Sequence, residues 1–434
     1  MTIRLRDVIG TMPAGIDTRG VLFEFDGTLH RGFNGAEARL VEKILESPWL
    51  EELFVAGLVR FRRSSLSLEN HDLVVEIERV PVVSYPTEWP TVMLREAGVM
   101  IARVGAALAR HELGLHDAHP WNVLFDGTRP LWVDLGSIVE AKEVSKAWMW
   151  EYRRHIVLPL AVHSIGLRQL GDAIQRTHSR GWKARLDARS LRILPVRYWR
   201  LGRLRRDPVR FFQHLASYVE GMPDRGASTA WSGYEQGHGV DVGDHVRYNG
   251  KERAVDELLA LVAPGTLIDI GANAGWFSRL AVAHGHSVVA IDTDDPTLGA
   301  LYLGARRDRL PILPLLMDIM WPSGSYGLGL GYAAAPDRLR CDTALALAVL
   351  HHIVGRQGVT FGAFAKAMDS FARQKVIVEF IPRDDAHVSR WQLAHEPWYE
   401  PERFIAAMAP YFRHVRSVPS SPPPRVVMLF ERDA

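Results

Sequence analysis

The chain has a single cysteine, Cys341, in 434 residues. One cysteine excludes an intramolecular disulfide framework and a cysteine-ligated zinc site. It suits a reducing compartment. Long apolar runs are also missing. No stretch approaches the roughly 18 residues that mark a spanning helix, and the opening MTIRLRDVIGTMPAG lacks an apolar core of signal-peptide length. Neither sign of charge is in marked excess: the formal net charge is +2, so no global field draws nucleic acid. Internal repeats and long low-complexity tracts are absent as well. These absences lead us to expect a cytoplasmic protein with no membrane span.

What is present is ordinary globular material, with 47% hydrophobic and 24% charged residues. The length predicts two or three domains. VLFEF (21–25) and LVVEIERVPVV (73–83) read as strands, AEARLVEKILES (36–47) as a helix, and residues 91–111 as another helix. Residues 142–220 read as helical, and 221–250, rich in Gly, Asp and Ser, as a linker. From Glu252 onward strands and helices alternate, as a parallel, doubly wound sheet requires. We place the domain boundary at 225/226.

The most informative stretch is TLIDIGANAGWFSRLA (266–281): a buried strand ending in Asp269, a turn through Gly271, Ala272, Asn273, Ala274 and Gly275, then a helix. Such a turn brings backbone N–H groups close to a ligand at a helix N-terminus. It lacks the G-x-G-x-x-G spacing of dinucleotide enzymes. A second strand, HSVVAID, ends in Asp292, 23 residues after Asp269. A carboxylate there can accept hydrogens from both ribose hydroxyls. LPLLMDIM reads as a third strand ending in Asp318, and CDTALALAVLHHI as a fourth, with His351 and His352 beyond its C-terminal end. VIVEFIPRDD is strand five, where Glu379 faces a substrate or pairs with Arg383. Asp269 to Gly275 in its D-x-G-A-N-x-G form, with Asp292 and the histidine pair, resembles class I S-adenosylmethionine (SAM) methyltransferases over roughly residues 230–434. The resemblance implies a Rossmann-like α/β domain with SAM held by Asp269, Gly271, Ala272, Asn273, Gly275, Asp292 and Asp318. His351 or His352, having an ordinary pKa near neutral, is the candidate general base for an oxygen nucleophile. No metal is expected in this domain.

The N-terminal half carries a second resemblance. HDAHPWN (116–122) followed by Asp134-Leu135-Gly136 is similar to the catalytic segment of aminoglycoside-phosphotransferase-type kinases. That implies an α+β kinase-like domain in which Asp117 orients the accepting hydroxyl while Asn122 and Asp134 hold magnesium for ATP. SYPTEWP (84–90) stands where the hinge would lie. The departures are Leu115 for the family histidine, Leu135 for phenylalanine, and no glycine-rich loop. Lys43, the only lysine before Asp134, falls in a helical pattern. Arg31 is a candidate replacement, although Arg and Lys are not equivalent at a phosphate. We therefore expect a kinase-derived scaffold. The two halves together resemble a bacterial group of SAM-dependent methyltransferases that includes nodulation-type enzymes.

Residues 180–210 hold eleven Arg and Lys against two acids, interleaved with Trp182, Tyr198 and Trp199. An anionic small substrate suits such a patch better than nucleic acid does. The other histidines lack metal-ligand spacing: His163, His178 and His238 form none with an acid or cysteine, and His119 belongs to the kinase-like loop. The expected function is methyl transfer from SAM to a small molecule or glycan, O-directed. The alternatives are a bifunctional kinase and methyltransferase, or a binding module for SAM or a nucleotide without turnover.

Overall fold

The computed structural model describes residues 2–4, 9–10, 19–144, 148–176, 206–223 and 240–433. The basic stretch at 180–210 lies almost wholly outside them, as does most of the linker. The chain forms two compact units: Met1–Ala227 with Tyr326–Tyr332, and Ser228–Ser325 with Ala333–Ala434.

In the first unit, β1 (Thr2–Ile3) pairs with β6 (Ser67–Leu68). An antiparallel sheet contains β2 (Ile9–Gly10), β3 (Val21–Phe25), β4 (Thr28–Phe33), β7 (Leu73–Ile77) and β5 (Phe61–Arg63), in that spatial order. The turn Asp26-Gly27 joins β3 to β4, both residues at positive φ, as a tight hairpin requires. The helix Gly35–Leu45 carries Lys43 on its exposed side. The helix Thr91–Ala109 is buried on nearly every face, which explains its apolar composition all round. After it come the short strands β8 (Leu113–Leu115), β9 (Val123–Asp126), β10 (Arg129–Trp132) and β11 (Ile138–Glu140), then the helices Leu158–Ser164, Arg168–Arg176 and Pro208–Glu220. No helix among the described residues is long and apolar enough to cross a membrane.

The second unit opens with the helix Gly250–Leu259. Its start is fixed by a capping box: the Asn249 side chain accepts from the backbone of Lys251 and Glu252, and Glu252 accepts from the Asn249 N–H. Seven strands follow: β12 (Thr266–Ile270), β13 (Ser287–Asp292), β14 (Ile312–Leu316), β15 (Cys341–Ala346), β16 (Ala372–Phe380), β17 (Arg413–Pro419) and β18 (Val426–Glu431). Their spatial order is β14-β13-β12-β15-β16-β18-β17. The first five are parallel, whereas β18 runs antiparallel to both its neighbours.

The parallel strands are near-continuous apolar runs because helices cover both faces. The antiparallel pair departs from the all-parallel expectation. Its connection, residues 420–425, is a short loop, and a short loop can join only antiparallel neighbours. The chain winds outward from β12 in both directions, through β13 to β14 and through β15 to β16. That reversal opens a crevice beyond the C-terminal ends of β12 and β15.

Candidate active site

A cavity of about 440 Å³ occupies this crevice, a size typical of small-molecule sites. Its lining brings together every residue expected at the SAM site: Asp269, Gly271, Ala272, Asn273, Gly275, Asp292 and Asp318. His351 and His352 line it too.

The turn after β12 is built for close approach. Gly271 has φ +73° and Gly275 φ +86°, values that favour glycine. A Cβ on Gly271 would lie 2.3 Å from Val349 Cγ2, and one on Gly275 2.2 Å from Leu301 Cδ1. The Gly271 and Ala272 N–H groups donate to Ile291 O at 2.8 and 3.0 Å, tying the turn to the end of β13. Asn273 is also at positive φ and caps the Ala274 N–H through its own side chain. The helix Trp276–Ala283 starts immediately after Gly275.

Two carboxylates anchor this wall. Asp269 is buried and accepts from Ser278 Oγ at 2.6 Å. Burial pushes its carboxyl up to about 7; the Ser278 hydrogen bond opposes this and the charge of Asp292 adds to it. Asp292, at the end of β13, accepts from the backbone N–H groups of Asn273 (2.8 Å), Thr293 (2.7 Å) and Asp294 (3.0 Å). Burial raises its pKa, and those three bonds hold the rise back. Asp318 lies two residues beyond β14, not on the strand, and accepts from Met320 N–H and Gln357 Nε2.

His351 and His352 begin the helix Leu350–Gln357, just past the end of β15. Their titration differs from the near-neutral expectation. Burial, with the neighbouring rings of His352 and His387, pushes His351 down to about 2. Burial and then the Arg356 charge push His352 down to about 4. Both imidazoles are therefore neutral at physiological pH. A histidine absent from the sequence-based set, His387, joins them in the lining. So do Lys251 and Arg425, from the opening helix and from just before β18.

Glu379 neither faces the cavity nor meets Arg383. It is fully buried in β16, pairs with Lys251 Nζ at 2.7 Å and accepts from Ser420 Oγ at 3.1 Å. Arg383 pairs instead with Glu400, at 2.7 Å. The reason is register: in β16 Glu379 stands opposite Val427 of β18, inside the sheet, while Arg383 lies beyond the strand end. Arg425 is held by Asp385 through two bonds of 2.9 and 3.2 Å.

In the first unit the structure also assembles the expected trio. Asn122 Nδ2 donates to Asp117 Oδ1 at 2.8 Å. Burial, with the charges of Asp134 and Glu151, pushes Asp117 up to about 6. Asp134 is already partnered: Arg31 Nη1, from β4, donates to Oδ1 at 2.9 Å, and the Gly136 N–H donates to the same oxygen at 3.0 Å. Leu115 is buried at the end of β8.

The second unit is thus a doubly wound sheet with a cavity at its switch point, lined by Asp269 of β12 and by Asp292 at the end of β13. No family model matches the chain. Among curated proteins it is similar to the nodulation protein NoeA of Rhizobium meliloti, 26% identical over 91% of this chain and 87% of that one. Solved structures similar to it include magnesium protoporphyrin IX methyltransferase from Synechocystis with bound S-adenosylhomocysteine. That match has 17% identity and a TM-score of 0.36, and covers 48% of this chain and 95% of the other. The N-methyltransferase NodS from Bradyrhizobium japonicum, also with S-adenosylhomocysteine, is 14% identical at a TM-score of 0.32, covering 48% of this chain and all of NodS. The bifunctional kinase-methyltransferase WbdD is 18% identical at a TM-score of 0.30, covering 42% of this chain and 37% of WbdD. At these scores the solved structures set neither activity nor substrate.

Proposed function

We propose that the protein is a SAM-dependent methyltransferase acting on a hydroxyl of a small molecule or glycan. The observation that carries this reading is the pairing of the buried Asp269 and the half-buried Asp292 with a glycine turn in one cavity. The fit is chemical. Asp269 is a desolvated acid whose ionised form needs a cation, and SAM brings both a sulfonium and an ammonium. Asp292 would hold the ribose, and the Gly271–Gly275 backbone would lie along the cofactor. Asp318 would stand near the adenine. Bound there, SAM supplies a methyl group already activated for attack. The protein's work is then orientation and exclusion of water. His351 and His352 supply neutral imidazole nitrogens to the acceptor side, with basicity reduced by burial.

The test is transfer of labelled methyl from SAM to a panel of glycans and hydroxylated small molecules. The reading expects label on an acceptor oxygen and stoichiometric S-adenosylhomocysteine. SAM binding with no transfer to any acceptor would favour the non-catalytic alternative.

A second reading is a bifunctional kinase and methyltransferase. The convergence of Asp117, Asn122 and Asp134 favours it. The Arg31–Asp134 ion pair opposes it, because a buried arginine already neutralises the carboxylate that magnesium would need. We therefore expect no calorimetric signal for Mg-ATP with the full chain. Binding that Asp134→Asn abolishes would reinstate the kinase.

A further inference from the structure

Three histidines converge on one wall of the cavity. His351 and His352 come from the start of the helix Leu350–Gln357, and His387 from the turn beyond β16, 35 residues after His352. Each offers one imidazole nitrogen, and the three nitrogens lie within 4.8 Å of one another. His351 is only 2% exposed, and its Nδ1 has no hydrogen-bond partner. An unpaired buried ring nitrogen is costly and calls for an explanation.

The surroundings hold the three rings in place. Trp391 packs on all of them, with centroids 5.3 Å from His351, 5.0 Å from His352 and 5.1 Å from His387. Asp385 accepts the backbone N–H of His387 at 2.8 Å while Arg425 clamps its carboxylate. That pair neutralises Arg425, as Glu379 neutralises Lys251, while the Arg356 guanidinium lies over Trp391 and faces His352.

We propose that His351, His352 and His387 form a divalent metal site of the zinc type, with one coordination position open to the cavity. Three imidazoles with a vacant fourth position are the ligand set of catalytic zinc, not of structural zinc. Imidazole suits zinc, copper, iron and nickel over magnesium or calcium. Tetrahedral zinc with bonds of about 2.0–2.1 Å needs nitrogens about 3.3 Å apart. The trio therefore closes by at most about 1.5 Å on loading. The site stands on the histidine geometry alone. What occupies the open position rests on the methyl-transfer reading: it would be the acceptor oxygen, which a metal polarises more strongly than a buried histidine can.

The experiment uses the tag-free full chain, stripped with a chelator and titrated with Co²⁺ by absorption spectroscopy, with Zn²⁺ as competitor. The expected result is one Co²⁺ per chain, with the intense visible bands of a four-coordinate nitrogen site, displaced by Zn²⁺. His387→Gln and, separately, His352→Gln should each weaken binding by about a hundredfold or more, with thermal melting used to confirm that both variants fold. No stoichiometric binding, or binding that neither variant weakens, overturns the inference. SAM is titrated separately into the same preparation. SAM binding without metal binding removes the metal site and leaves the methyltransferase reading intact. Metal binding without SAM binding supports the site and removes the other reading.

Discussion

Lys251→Met is expected to destabilise the C-terminal unit by about 3–5 kcal/mol, as breaking one side of a buried ion pair does. Glu379 is fully buried and Lys251 nearly so, 2.7 Å apart. Removing the lysine leaves a carboxylate inside the sheet with only Ser420 Oγ beside it. Urea unfolding followed by tryptophan fluorescence measures the loss. The double variant Lys251→Met with Glu379→Leu should recover most of it, because an apolar pair of similar volume needs no charge compensation. If the single variant is as stable as the parent, the pair is not the structural clamp between the opening helix and β16 that its geometry describes.

SAM affinity is expected to depend on pH through Asp269. In the free protein its carboxyl is raised to about 7. The sign follows from linkage. A carboxyl with a raised folded pKa stabilises the fold most at low pH, where it is protonated, and that contribution is lost as pH rises through about 7. A cationic ligand reverses the balance by favouring the ionised form, so binding releases a proton below pH 7. Affinity should therefore be nearly level above pH 7 and fall about tenfold per pH unit below it. Asp269→Asn keeps the shape and a partner for Ser278 while removing the charge. It should cost roughly 1.5–3 kcal/mol of binding and flatten the profile. A profile unchanged in the variant would mean that Asp269 does not face the cation.

Much of this site is legible in the sequence because it is local. Asp269 to Gly275 is one turn, and Asp292 closes the next strand, so apolar runs with acids at their ends mark both positions. The strand limits follow from the same runs: β13 ends at Asp292 as expected, and β14 stops two residues short of Asp318. The antiparallel β17 is not visible as a strand, because RHVRSVP at the sheet edge is largely exposed and lacks an apolar face. His387, Lys251 and Arg425 are less legible still. Each reaches the cavity from a distant part of the chain, and only the fold of β16 and β18 brings them together. The low pKa values of the histidine pair likewise come from burial and from the neighbouring charges, His352 and His387 on His351 and Arg356 on His352, which spacing in the chain does not encode. In the N-terminal unit the chemistry-bearing residues are visible as a motif. The arginine that occupies Asp134 comes from β4, 103 residues away.

The central claim is that the cavity beyond β12 and β15 holds SAM. Isothermal calorimetry of SAM with the full chain tests it most directly, alongside Asp292→Asn, which keeps an acceptor for the Asn273 N–H. The account predicts one SAM per chain, markedly weakened in the variant. Absence of binding by both SAM and S-adenosylhomocysteine, in a chain that melts cooperatively, would contradict it.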